Sequence, residues 1–318
     1  MKKLFTLLAL TISFSINAQM SDNSSGTSAT GTNAVAMGYQ TTASGTASTA
    51  MGYSTTASGT RSTAMGYLTT ASGIISTAMG DNTTASGSIS TAMGSGTSAI
   101  GDSSTAMGVG TSASGSISTA MGSGTSAIGD SSTAMGVGTS ASGSVSTAMG
   151  NWTYASDFAS VVIGQYNSSG SSATSASSFS TSNTAFVIGN GTASNAKSDA
   201  FKVMFNGDTT VSNDLTVSGD VVISSDARLK SNIVSLGSTL AKLLQIDGKS
   251  YEMKGKQKIG VLAQEIQEVF PELVSEDDNE MLAVNYQGLV PVLINALKEQ
   301  QSEIDELKEM VQLLVSKE

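Results

Sequence analysis

The chain has 318 residues, 34 of them Gly and only 2 Pro, with charged residues at 13%, about half the share of an ordinary soluble domain. Cys and His are both 0, which excludes disulfides, thiolate nucleophiles, Ser-His-Asp triads and zinc sites built on imidazole or thiolate, and no metal or cofactor site is expected. A net charge of -10 argues against nucleic acid as a partner, because such binding draws on clustered Lys and Arg.

Met1, Lys2 and Lys3 form a positive start, Leu4 to Ile16 is apolar, and Asn17-Ala18 precedes Gln19. The pattern predicts a cleaved export signal over 1–18, followed by a linker over 19–30. The apolar run is shorter than the about 20 residues needed to span a bilayer. No later segment matches its hydrophobicity, so a secreted or cell-surface protein without a transmembrane segment is expected. Without Cys, an exported chain must draw stability from packing and oligomerisation.

From Met37 an Ala-Met-Gly triplet recurs every 14 residues through Met149, and a second glycine keeps the same step from Gly45 to Gly143. Residues 87–114 recur letter for letter at 115–142. A unit this short with two turn signals predicts two short strands per coil of a β-solenoid. In Ser-Thr-Ala-Met-Gly, alternation puts Thr and Met on one face and Ala on the other. The larger Met is assigned to the core, stacking on Met of the next coil. At about 4.8 Å per coil the rod would be about 45 Å long. One or two medium apolar side chains per coil make a thin core, which a homotrimer would supplement. The Met ladder reads as packing and not as a metal or redox array. Asp102 and Asp130 stand two coils apart, roughly 10 Å, near the spacing of an inverting glycosidase pair, but the duplication accounts for them. An ice-binding Thr face is a remote reading, since the Thr ladder shares its face with Met.

The repeat resembles the head repeats of trimeric autotransporter adhesins, left-handed parallel β-rolls with the unit Ser-Val-Ala-Ile-Gly. It is nearly recovered at Ser160-Val161-Val162-Ile163-Gly164 and at Phe186-Val187-Ile188-Gly189. The resemblance covers 31–190 and implies a homotrimeric roll, with a surface glycan or other cell-surface ligand as its candidate partner. That family's C-terminal membrane barrel has no counterpart here.

Residues 166–200 are rich in Ser, Asn and Thr and read as linker around the last roll-like coil. Strands are expected at Phe201 to Phe205, Thr209 to Val211, Leu215 to Val217 and Val221 to Ile223, as a β stalk over 191–224. Of 40 charged residues, 26 lie in 225–318, which suits an α+β domain. There the pattern predicts a helix over Leu236 to Ile246, strands at Tyr251 to Met253 and Ile259 to Leu262, and a helix from Gln264 to Phe270 stopped by Pro271. A hairpin of Leu273 to Ser275 with Met281 to Val284 follows, then a long helix with Asn285 as N-cap. Val290, Leu293, Leu297, Gln300, Ile304, Leu307, Val311 and Leu314 form a coiled-coil seam within 290–315, with Gln300 as its one polar layer. Lys254, Lys256 and Lys258 read as a solvated turn without a ligand.

The candidate chemistry lies in Ser225-Asp226-Ala227-Arg228-Leu229-Lys230. A serine nucleophile in a chain without histidine needs another base, and a desolvated lysine is the permitted choice. A separation of five places the two on opposite faces of a strand and about 140° apart on a helix, so a turn or a neighbouring subunit must bring them together. The segment resembles the intramolecular chaperone auto-processing domain of phage endosialidases and tail fibres, a self-cleaving peptidase family also found in myelin regulatory factor. Ser-Asp-Ala-Arg-Leu-Lys carries the likeness first. Ile259 to Glu265 continues it through Val269-Phe270-Pro271-Glu272-Leu273, then Val284-Asn285-Tyr286, Leu289 to Leu293, and Ala296 to Gln300. The resemblance implies a chaperone over 225–318 that promotes trimerisation and then cuts the Ser224-Ser225 bond. It makes Ser225 the nucleophile, Lys230 the general base, and Asp226 and Arg228 supporting residues.

The expected fold is thus mainly β: a left-handed parallel β-roll of 14-residue repeats, a β stalk, and an α+β chaperone domain ending in a trimeric coiled coil. Two other readings stand beside self-cleavage. One is a non-enzymatic surface adhesin or spacer whose last domain is a permanent trimeric cap. The other is a carbohydrate-active tailspike, which lacks convergent carboxylates in the roll.

Overall fold

The computed structural model describes residues 20–21, 25–277 and 280–316; the expected signal at 1–18 lies outside them. Contacts divide the chain into two compact units, Met1–Ser218 and Gly219–Glu318.

The first unit is a parallel β-solenoid. Ten five-residue strands, from Val35–Tyr39 to Val161–Gln165, stack in register at the 14-residue step, with Met beside Met and Gly beside Gly. Two-residue strands such as Thr42–Ala43 and Ser112–Ala113 stack into a second parallel sheet. Each coil turns twice through left-handed backbone, at the columns of Gln40, Ser54 and Leu68 and of Ala47, Arg61 and Ile75.

The face assignment made from the sequence is reversed. Ala36, Ala50 and their equivalents are fully buried, as are Ala43 and its equivalents, while Met51, Met93 and Met121 are only half-buried and Met37 is exposed. The two sheets lie so close that Ala, Ser and Thr fill the interior: in one coil Thr111, Ala113, Ser118 and Ala120 point inward. A methionine has no room between the layers, so Thr and Met share the outer face of the long-strand sheet.

Close approach also explains two of the glycine columns. A Cβ on Gly122, at φ +123°, would lie 2.0 Å from the carbonyl oxygen of Gly136 in the next coil. One on Gly101 would lie 2.0 Å from that of Gly115. The second column ends at Asp157, which stands where the step would place another glycine and is buried. Its carboxylate accepts from the backbone N–H of Thr174 (2.6 Å), Ser175 (3.3 Å) and Thr184 (2.8 Å). Buried Asn167 accepts from the N–H of Tyr154 and donates to its carbonyl (2.8 and 2.9 Å), standing in for the next short strand. The polar segment after Gln165 is therefore a cap on the solenoid, held by side chains that replace missing backbone partners.

Thr184–Asn190 adds one more parallel strand, and Asp199–Met204 and Thr209–Val211 extend the same sheet antiparallel. These strands complete the rod. Leu215 to Val217 and Val221 to Ile223, expected as stalk strands, form no strand with the described residues and are exposed. A lone extended segment has no ladder partner, and a stalk wound from several chains would supply one.

The second unit is α+β. Hairpins pair Lys249–Met253 with Lys256–Gly260 and Val274–Glu276 with Leu282–Val284. Helix α1 is Leu240–Leu243, α2 is Ala263–Val269 and α3 is Leu289–Val315. Ile266, Phe270 and Val292 are buried together, with Leu243, Ile246, Val261 and Leu273 packed round them. The first helix is shorter than expected and the second strand starts three residues earlier. Asn285 caps a single 3-10 turn, Tyr286–Gly288, accepting from Gly288 N–H, and α3 follows directly. Among the described residues no helix is long and apolar enough to cross a membrane.

Candidate functional site

Asp226 builds the local geometry. Its backbone is extended and its carboxylate accepts from the N–H of Arg228 at 2.8 Å, starting the 3-10 turn Ala227–Leu229. The Arg228 guanidinium returns to the same carboxylate, Nη2 reaching Oδ2 at 2.7 Å and Nε lying 3.1 Å from Oδ1. This forked pairing fixes the turn more firmly than a single point charge would. The guanidinium, and then the Arg228 N–H, hold the Asp226 carboxyl below the usual carboxylate range; the same pairing raises Arg228.

The turn closes when Lys230 N–H donates to the Ala227 carbonyl at 3.1 Å. Lys230 Nζ then lies 2.7 Å from Ser225 Oγ. The chain thus brings together, through one turn of its own backbone, two side chains that neither a strand nor a helix would have joined. Asp226 and Arg228 are what shape that turn. Ser224, Ser225 and Lys230 are all exposed within the single chain, as are the apolar neighbours Leu229, Ile233 and Val234.

Away from this turn, each acidic residue singled out in the rod has a backbone task. Asp102 accepts from Ser88 N–H at 2.9 Å and Asp130 from Ser116 N–H at 3.0 Å, each tying a turn of the preceding coil. Glu299 of α3, within a matched motif but given no role by sequence reasoning, collects Ser238 Oγ (2.7 Å), Thr239 N–H (2.6 Å) and Leu240 N–H (3.1 Å). It caps α1 from across the domain, a pairing sixty residues apart that local patterns do not signal.

Comparison with known families matches a segment of each unit. Residues 225–275 match the family described as chaperone of endosialidase. The YadA head domain repeat matches the rod in overlapping copies, at 29–55, 43–69, 57–74, 71–97, 99–125 and 127–151. The chain joins YadA-type head repeats to an endosialidase-type chaperone domain, the organisation of an adhesin-like or fibre-like protein. At the level of the family the chaperone domain implies autocatalytic peptidase activity. No curated protein matches the chain.

Proposed function

We propose that this protein is an exported homotrimeric fibre whose C-terminal chaperone domain assembles three chains and then releases itself by cutting the Ser224-Ser225 bond. The observation that carries the reading is the 2.7 Å contact between Lys230 Nζ and Ser225 Oγ, inside a segment matching the endosialidase chaperone family. Ser225 Oγ attacks the Ser224 carbonyl carbon while its proton passes to Lys230; a C–O bond forms, the C–N bond breaks, and the freed Ser225 α-amine takes up a proton. Water then hydrolyses the ester, restoring the hydroxyl and leaving a carboxylate on Ser224.

The dyad is exposed in the single chain, and in this reading partner subunits cover it on assembly, so assembly precedes cleavage. Two apolar surfaces support three-chain assembly: the outward Met column of the rod and the α3 seam, where Val290, Leu293, Leu297, Ile304, Leu307, Val311 and Leu314 are exposed. Losing the clamp after folding makes the fibre's persistence a matter of its unfolding rate.

Intact mass of the wild-type protein beside Ser225→Ala and Lys230→Ala, with native mass for the assembly state, tests the reading. The expected result is a wild type split between Ser224 and Ser225, both variants whole, and trimers throughout. Three intact trimers would instead favour a permanent trimeric cap, for which the exposure of the dyad in its own chain is the supporting observation.

A further inference from the structure

The column of left-handed turns that holds Gln40, Ser54, Leu68 and Asn82 continues as Gly96, Gly110, Gly124 and Gly138 before reaching Trp152 and Tyr166. These glycines differ from the two packing columns. A Cβ on Gly110 or Gly124 would have nothing within 4 Å. Their lack of side chains leaves a trough on the rod's edge, about 14 Å long at the coil spacing, and it opens into a cavity of about 380 Å3 at its C-terminal end. That volume falls in the range of small-molecule sites.

Aromatic rings close the cavity. The indole of Trp152 lies back over Gly138, where a Cβ would come within 2.8 Å of two ring carbons. Its other side runs parallel to the Tyr166 ring, centroids 6.4 Å apart and planes 4° from parallel. Tyr154 forms a second wall, with Lys197 Nζ 5.0 Å over its ring. Trp152 remains 42% exposed although large aromatic side chains carry the greatest gain from burial. The flanks are Ser126 and Ser140 on one side and Ser123 and Val137 on the other.

The lining selects a chemical class. Aromatic and aliphatic surface faces the C–H side of a sugar ring and serine hydroxyls suit its hydroxyl rim; among the described residues no carboxylate, Lys or Arg is part of the lining itself, and the nearby Lys197 ammonium is set against the Tyr154 ring. A peptide adding as a strand would need free backbone groups. Here Gly110, Gly124 and Gly138 N–H are already spent on Ser95, Val109 and Ser123 carbonyls at 2.8–2.9 Å. We propose that the trough ending at Trp152 and Tyr154 binds a neutral glycan laid along the rod. The proposal rests on the rod being the ligand-bearing part of an adhesin-like fibre and is independent of self-cleavage.

Trp152 is the only tryptophan, so indole emission of the full chain reports this site alone. Cellohexaose, maltohexaose and chitohexaose at millimolar concentration serve as probes, with a polyproline peptide as control. The expected result is a saturable emission shift with at least one sugar. Gly124→Asn and Gly110→Asn should weaken that binding by about tenfold or more, with far-UV circular dichroism unchanged because Asn82 already occupies this column at φ 51°. No response to any of the three sugars, a response that survives both substitutions, or a response to polyproline alone would each overturn the proposal. The Ser225→Ala chain gives the same binding if cleavage plays no part, so a failure here and a failure of the processing reading are told apart.

Discussion

Gly122 and Gly124 sit two residues apart, both at positive φ, and they make opposite predictions. Gly122→Ala drives a Cβ into the carbonyl of the next coil, at a backbone angle L-residues avoid, so it should cost more than about 3 kcal/mol and lower the melting temperature of the whole chain. Gly124→Asn should shift it little. Thermal melts of the two variants decide this, and equal losses would mean that the coil cannot accept a side chain at either column. The Asp226 carboxylate gives a pH dependence. Because its folded pKa is depressed, its contribution to the turn is complete above the ordinary carboxylate range and is lost as pH falls through the lowered value. Acid should therefore slow self-cleavage, and Arg228→Ala should slow it at neutral pH with the assembly state unchanged, read by intact mass against time. The Ser225 and Lys230 pairing was legible as a chemical class from composition, since without His few bases remain. A turn was one of two routes left open for joining them, beside a neighbouring subunit, and sequence alone did not choose between them, because the turn depends on one carboxylate serving a backbone N–H and a guanidinium together.

Helix α1 illustrates what local sequence leaves out at the next scale. The apolar stretch from Leu236 to Ile246 suits a longer helix, yet Gly237 takes φ 69° and the helix starts only where Glu299 reaches its N-terminal N–H groups. The Ser238 hydroxyl and then the Thr239 N–H hold the Glu299 carboxyl below its usual range, so this cap too is fully present at neutral pH and weakens in acid. Glu299→Gln should lower the melting temperature of the uncleaved Ser225→Ala chain and flatten its acid dependence; an unchanged acid profile would remove Glu299 as the cause. The long helix was readable because its three-and-four spacing persists over many turns. Its seam lies open, and Leu297→Asp with Ile304→Asp should abolish trimers by native mass while circular dichroism retains the helix-bearing domain. The sequences at Leu215 to Val217 and Val221 to Ile223 have the alternation of strands but no strand partner among the described residues, and alternation alone does not provide one.

For the molecule as a whole, the reversal of Met and Ala changes which side chains are available to meet a partner subunit. Alternation along Thr-Ala-Met correctly separates two faces, but choosing the inner one by hydrophobicity fails when the layers are too close for a long side chain. The consequence is testable. Met93→Glu with Met121→Glu should leave each coil intact, since these side chains point outward, yet place charge on the surface proposed to meet partner subunits. Native mass should then show loss or loosening of the trimer, with an unchanged β signal by circular dichroism. Collapse of the β signal instead would return Met to the interior.

Each coil stacks on the coils before and after it, and the cap held by Asp157 and Asn167 meets the last two of them, through the Ser144 N–H as well as Ser156 and Phe158. The exact copy of 87–114 at 115–142 is therefore an insertion that neither end of the rod senses. Reach becomes a copy number: removing one such block should shorten the rod by about 10 Å and leave its cap and the C-terminal domain as they are. A lineage carrying this chain can change the length of its rod by miscopying a stretch of DNA, with no side chain redesigned.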